Sequence, residues 1–99
     1  MQDRPQQRSL RSAPGIRWVR DDERVIVVDG VHNRVRHLRG LQASVWEWMA
    51  LGYTPSRIIR LLGAVFNVPK AEAEEHFRSI VEAWLRDRLM VANAEGGGG

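Results

Sequence analysis

Between Arg24 and Leu51 the chain reads RVIVVDGVHNRVRHLRGLQASVWEWMAL, and the order of signals in this stretch decides the fold. Arg24 to Val28 is a β-branched apolar run, Asp29-Gly30 opens a turn, and Arg34 to Leu38 resumes an alternating pattern. Gly40 then releases the chain into a helix, in which Leu41, Val45, Trp48 and Met49 recur at i, i+4, i+7 and i+8 and so share one face. Gly52 sits where a helix ends in the left-handed conformation. The stretch is a hairpin feeding a helix.

Working toward the N-terminus, Ile16 to Arg20 makes a first strand, preceded by the turn signal Pro14-Gly15 and closed by Asp21-Asp22-Glu23. Three antiparallel strands follow. The second carries Val25 and Val27 on one face and Ile26 and Val28 on the other, which predicts a central strand buried on both sides. In the third, Arg34, Arg36 and Arg39 interleave with Val35, His37 and Leu38, the composition of an edge whose unpaired backbone groups are guarded by charge. Residues 1–13 are polar, without apolar periodicity, and are expected to form a flexible arm. Its Arg4, Arg8 and Arg11 are read as solvated, with steering of an acidic partner as the alternative.

Working toward the C-terminus, Thr54-Pro55 supplies an N-cap and a proline at the first helical position. Ile58, Leu61, Leu62 and Val65 give the second helix its apolar face. Asn67-Val68-Pro69 breaks it, and a third helix begins with Glu72, Glu74 and Glu75 in its first turns, the sign the macrodipole favours. Ala73, Phe77, Ile80, Val81 and Trp84 form its stripe, and Leu89 to Val91 leaves as a short strand or packed tail. Residues 93–99 are expected to be a flexible Gly-rich tail. The reading is thus an α+β domain over residues 14–92, a small winged-helix-like fold with a three-stranded antiparallel sheet followed by three helices.

Composition bounds the chemistry. Ninety-nine residues with 43% hydrophobic and 27% charged content suit a single small core. There is no cysteine, which removes disulfides, thiolate ligands and cysteine nucleophiles together. No apolar run reaches the roughly 18 residues of a membrane span, and no secretory signal opens the chain, so a cytoplasmic protein without a membrane partner is expected. The isoelectric point near 10.5 comes from arginines, whereas the formal charge is only +3, from 15 basic and 12 acidic residues. Basicity is therefore weak evidence for nucleic acid. His32, His37 and His76 offer no metal-ligand spacing, Ser44 has no nucleophile elbow, and no glycine spacing cradles a phosphate. No cofactor, metal or catalytic residue is expected. Trp18, Trp46, Trp48 and Trp84 read as core and groove lining.

Three short strands and three helices leave two functions open. A winged-helix DNA reader would present its last helix to the major groove, but here the turns that would enter carry glutamates, which phosphates repel. The alternative to DNA comes from a resemblance. RVIVVDGVHNRVRHLRGLQASVWEWMALGYTPSRIIRLL, together with the Ala-Pro-Gly opening at 13–15 and the Val81, Trp84 and Leu89-Met90 close, resembles the PqqD-like family. These are the recognition elements that bind leader peptides of ribosomally made, post-translationally modified peptides. The chain departs from the family pattern at Asn33 and Arg88, where glycine is frequent, and at Arg39, where asparagine is.

The resemblance implies a non-enzymatic adaptor. The leader of a precursor peptide adds as a strand to the third strand, against the third helix, and is presented to a separate modifying enzyme. The peptide-binding residues so expected are Arg34, Val35, Arg36, His37 and Leu38 from the strand and Phe77, Ile80, Val81 and Trp84 from the helix. Arg34, Arg36 and Arg39 are expected to select an acidic leader, and no specific nucleic acid is expected as a partner.

Overall fold

The computed structural model of the chain describes residues 10–92. The first nine residues of the expected arm, and all of the expected tail, lie outside the described residues. The element order is β1 (Leu10–Ser12), β2 (Ile16–Asp21), β3 (Arg24–Asp29), β4 (Arg34–Arg39), α1 (Leu41–Ala50), α2 (Pro55–Phe66), α3 (Lys70–Arg86) and β5 (Met90–Ala92). The α+β, winged-helix-like reading therefore holds, with a three-stranded antiparallel sheet in the order β2-β3-β4 and three helices after it.

One element escaped the sequence. Leu10–Ser12 does not belong to an arm: it pairs antiparallel with β5, setting Leu10 against Ala92 and Ser12 against Met90. Ala13 N–H extends the junction by donating to the Leu89 carbonyl at 3.0 Å. Three residues are too few to show a strand period, and the pairing partner lies some eighty residues away, so only closure of the domain makes this strand.

The helix boundaries follow their chemistry. Thr54 Oγ1 accepts from the Arg57 N–H, with Pro55 at the first helical position. Gly52 has φ 87, and both Gly52 N–H → Met49 O (2.9 Å) and Tyr53 N–H → Trp48 O (3.1 Å) close the end of α1. That is the paired-bond terminator in which a left-handed residue satisfies two orphan carbonyls. α3 ends the same way, through Arg88 N–H → Leu85 O (3.1 Å) and Leu89 N–H → Trp84 O (2.9 Å), but the left-handed position is held by Arg88 at φ 63. Asn33, at φ 57, likewise keeps the turn geometry without glycine. At Arg39 the special conformation falls one residue later, on Gly40 with φ 58.

The core lies between the sheet's inner face and the helices. Val25, Val27 and Leu38 from the sheet meet Val45, Trp46 and Met49 of α1, Ile58 and Leu62 of α2, and Ala73, Phe77, Val81 and Trp84 of α3. Trp46 and Trp84 pack edge to face, ring centroids 5.1 Å apart. The buried face of α1 is centred on Trp46 rather than on Trp48, which is only half-buried, and Val65 of α2 is exposed. The central strand is buried on one face only. Val25 and Val27 are fully covered, whereas Ile26 is half-buried and Val28 is 40% exposed. All three helices come after the three strands of this sheet and pack on its inner side; among the described residues no element covers the outer side. No described helix is long and apolar enough to cross a membrane.

Candidate functional site

The strand order leaves β4 with one neighbour, so its other edge is open along Arg34–Arg39. Which of its backbone groups face outward follows from the ladder. Gly30 N–H donates to Gly15 O at 3.2 Å, one step beyond the β2–β3 register that sets Val28 against Arg17 and Ile26 against Val19. Antiparallel pairs alternate, so Arg24, Ile26 and Val28 direct their backbone groups to β2 while Val25, Val27 and Asp29 direct theirs to β4. Their partners are Leu38, Arg36 and Arg34. Val35, His37 and Arg39 therefore turn their N–H and C=O groups to the open edge.

Side chains alternate in the same phase. Arg34, Arg36 and Leu38 share the inner face with Val25, Val27 and Asp29, while Val35, His37 and Arg39 lie on the outer face with Ile26 and Val28. The nine expected site residues thus divide. Leu38 and Trp84 are core at 4% and 3% exposure, Phe77 and Val81 are buried at the margin, and Ile80 is half-buried. Val35 and His37 are exposed on the side of the sheet away from the helices, so their contribution to the α3 side of the edge is backbone, not side chain.

A polar network absent from the sequence reading fixes one end of the edge. Asp29, 2% exposed, accepts from Val31 and His32 N–H at 3.0 and 3.1 Å through Oδ1. Its Oδ2 lies 2.9 Å from His32 Nδ1 and takes Arg34 Nη2 at 2.7 Å. The Arg34 guanidinium beside it, then the His32 N–H and ring, hold the Asp29 carboxyl well below the usual carboxylate range despite the burial that would raise it. Arg34 Nη2 also donates to the Asp87 carbonyl at 2.7 Å, and Arg36 Nη2 to Asp87 Oδ2 at 3.0 Å. Asp87 is the last residue before the left-handed Arg88, so the α3 terminator presents both of its acceptors to β4. The only trace of this in sequence is Asp29 two residues ahead of a turn residue, the pattern of a side chain that caps its own turn.

Charge at this end is unbalanced. Arg34, Arg36, Arg86 and Arg88 gather around Asp29 and Asp87, and Arg86 and Arg88 have no carboxylate partner among the described residues. His32, Arg34, Arg86, Asp87 and Arg88 line an open depression of about 280 Å³. Of the three arginines expected to select an acidic ligand, Arg34 and Arg36 are already engaged by aspartates. Arg39 is exposed and unpaired among the described residues. The acidic opening of α3 is solvent-facing, with Glu72 near His76 (3.4 Å) and Glu75 bridged to Arg78 (3.0 Å). Among the described residues no three potential ligands converge on a metal position.

No family model matches the chain, and no curated protein matches it in sequence. Solved structures do share its fold. TbiB1 in complex with the TbiA(beta) leader peptide superposes with a TM-score of 0.78 at 17% identity, over 90% of this chain and 99% of that one. A lasso peptide synthetase B1 complexed with the leader peptide gives 0.77 at 18% identity, over 84% of this chain and 98% of that one. At this identity what is shared is the fold: a small α+β domain of near-equal extent, with a three-stranded antiparallel sheet and three helices.

Proposed function

We propose that this chain is a leader-peptide-binding adaptor of the PqqD-like kind. It holds the leader of a ribosomally made precursor as a strand added to β4 and presents the remainder to a separate modifying enzyme, without chemistry of its own. The observation that carries the reading is the open edge of β4, where Val35, His37 and Arg39 turn their backbone groups outward beside α3. Two proteins of the same fold were solved with leader peptides, which supports it.

The magnitudes say how such an edge must work. Three outward residues offer six backbone groups, worth about 3–9 kcal/mol at a net 0.5–1.5 each. Micromolar affinity needs about 8 kcal/mol, and ordering a disordered peptide costs about 2–5. Backbone pairing alone falls short, so side chains of the peptide must also find apolar cover. The inner side supplies it from the half-buried Ile80 and the margins of Phe77 and Val81, with Leu38 and Trp84 as the core beneath them, and acidic residues of the leader meet the surplus cations around Asp87.

Amide hydrogen exchange tests the mode directly. In the free protein the Val35, His37 and Arg39 amides exchange fast and those of Arg36 and Leu38 slowly. Bound leader should protect the first set and leave the second as it was. A leader that binds without protecting Val35 and His37 sinks strand addition at this edge.

A further inference from the structure

Where β4 begins, two hollows lie side by side. One is the cationic depression lined by His32, Arg34, Arg86, Asp87 and Arg88. The other is a larger cleft of about 450 Å³, walled by Pro14, Asp29, Val31, Leu85, Met90 and Val91, and His32 and Arg88 stand in the wall of both. Val31 from the β3–β4 turn is 68% exposed and Leu85 from the last turn of α3 is 39% exposed, so two large aliphatic side chains are left open to water at one cleft. Asp29 adds no free polar demand there: both of its carboxylate oxygens are already taken, by Val31, His32 and Arg34. What the cleft offers a ligand is apolar cover.

Its walls are set by the fold. Gly30 N–H donates to Gly15 O at 3.2 Å and ties the β3–β4 turn to the residues ahead of β2. Val31 then packs so closely on Gly15 that a Cβ there would come within 2.7 Å of Val31 Cγ2, at a residue whose φ of 85 already favours glycine. The Val31 and His32 N–H groups are held on Asp29 Oδ1 at 3.0 and 3.1 Å. A cleft fixed in this way is filled at a smaller ordering cost than one that a ligand must shape.

Continuity and charge identify the occupant. Arg34 is the first residue of β4 and also a wall of the depression, so a strand paired with β4 that runs on past Arg34 leaves the ladder over the depression and meets the cleft next. Arg86 and Arg88 are exposed there without a carboxylate partner among the described residues, and an acidic side chain complements them. An extended chain advances about 3.3 Å per residue, so residues a few positions apart reach both hollows. We infer that the bound peptide does not end at the β4 edge: its flank beyond Arg34 carries an acidic residue for Arg86 and Arg88, and then a large apolar residue that fills the cleft at Val31 and Leu85. Resting on the function proposed above, this defines the class of leader the chain selects, a strand segment flanked on one side by an acidic and an apolar anchor. It also supplies affinity that backbone pairing lacks.

The test uses the full chain with a synthetic peptide carrying the complete leader from its own biosynthetic system, and with the same peptide cut back to the segment that pairs with β4. Both peptides should protect the Val35 and His37 amides. The complete leader alone should shift the Val31 and Leu85 methyl resonances, and it should bind about tenfold more tightly than the shortened one, the gain expected for burying one apolar side chain. Val31→Asp and Leu85→Asp should each bring the complete leader down to the affinity of the shortened one. Arg86→Glu should weaken the complete leader as well, most strongly at low salt. Val65→Asp puts the same charge on an exposed position of α2 that lines neither hollow, and it should bind as the parent does. A complete leader that protects Val35 and His37 but leaves both methyls unmoved, or binds the three site variants like the parent, overturns the inference and leaves the proposed function standing. Methyl resonances that answer to protein concentration and not to leader assign the cleft to a second copy of the chain and overturn it too. A leader that never protects Val35 and His37 overturns the proposed function, and this inference with it. Should Val31→Asp unfold, Leu85→Asp and the methyl shifts of the parent decide.

Discussion

Proline replaces a backbone N–H with ring carbon, so a proline scan of β4 reads the phase of the ladder. His37 turns its N–H to the open edge, and Arg36 turns its own to Val27. In His37→Pro no bond of the folded domain is lost, and the residue before a proline prefers the extended conformation a strand already has. What is lost is one bond to the peptide, a net 0.5–1.5 kcal/mol, plus part of the cost of an orphaned peptide carbonyl that water can still reach. A total of about 1–3 kcal/mol is a loss of roughly 5- to 150-fold in leader affinity. In Arg36→Pro the bond to Val27 goes, and Val27 is fully buried, so its carbonyl is stranded beside the core. The salt bridge to Asp87 goes with it. A cost of about 2–4 kcal/mol, at roughly 4–8 °C per kcal/mol, lowers the melting temperature by at least about 8 °C. Circular dichroism melts read the fold and calorimetry reads leader affinity. A His37→Pro protein that stays folded and binds leader like the parent refutes strand addition on β4; one that melts as low as Arg36→Pro refutes the assigned phase.

Asp29→Asn should lower the melting temperature near neutral pH and flatten its pH dependence in acid. The folded Asp29 carboxyl binds its proton less readily than the unfolded one, so its stabilisation is present above the ordinary carboxylate pKa of about 3.9 and is lost as pH falls below it. Equal acid limbs for parent and variant would show that the Asp29 cluster is not what acid breaks. Arg88→Gly should stabilise: the left-handed conformation costs a non-glycine residue about 1–2 kcal/mol, less about 0.5–1 for glycine's added freedom. A gain of up to about 1.5 kcal/mol is readable by urea titration, and a loss would mean that the Arg88 side chain contributes more than its backbone strain. Trp84→Ala should cost about 3–5 kcal/mol, since Trp84 is buried and stacked edge-on against Trp46. Loss of leader binding without loss of stability would instead make it a pure groove residue.

Local chemistry was legible in the sequence wherever cause and effect lie within one turn of chain. Thr54-Pro55 starts a helix because a hydroxyl reaches an N–H three residues on, and Gly52 ends one because it tolerates a positive φ. The edge character of β4 was visible in its alternating arginines, and the apolar stripe of α3 in its spacing. Side-chain sorting failed where it depended on a neighbour. Val35 and Leu38 look equally suited to a groove, and only the register against β3, set by the β2–β3 ladder, sends one to the outer face and the other into the core. The same register decides which backbone groups of β4 remain free, which an isolated strand does not encode.

Longer range still, Arg34 and Arg36 read as guards of an exposed edge until α3 brings Asp87 to them from more than fifty residues away. β1 reads as part of a polar arm until β5 arrives to pair with it. Ile26 and Val28 read as buried because an aliphatic run on a central strand is usually covered on both sides. Here the helices that could have covered the second face all pack on the first, and it is this placement, a property of the assembled domain, that leaves the outer face open.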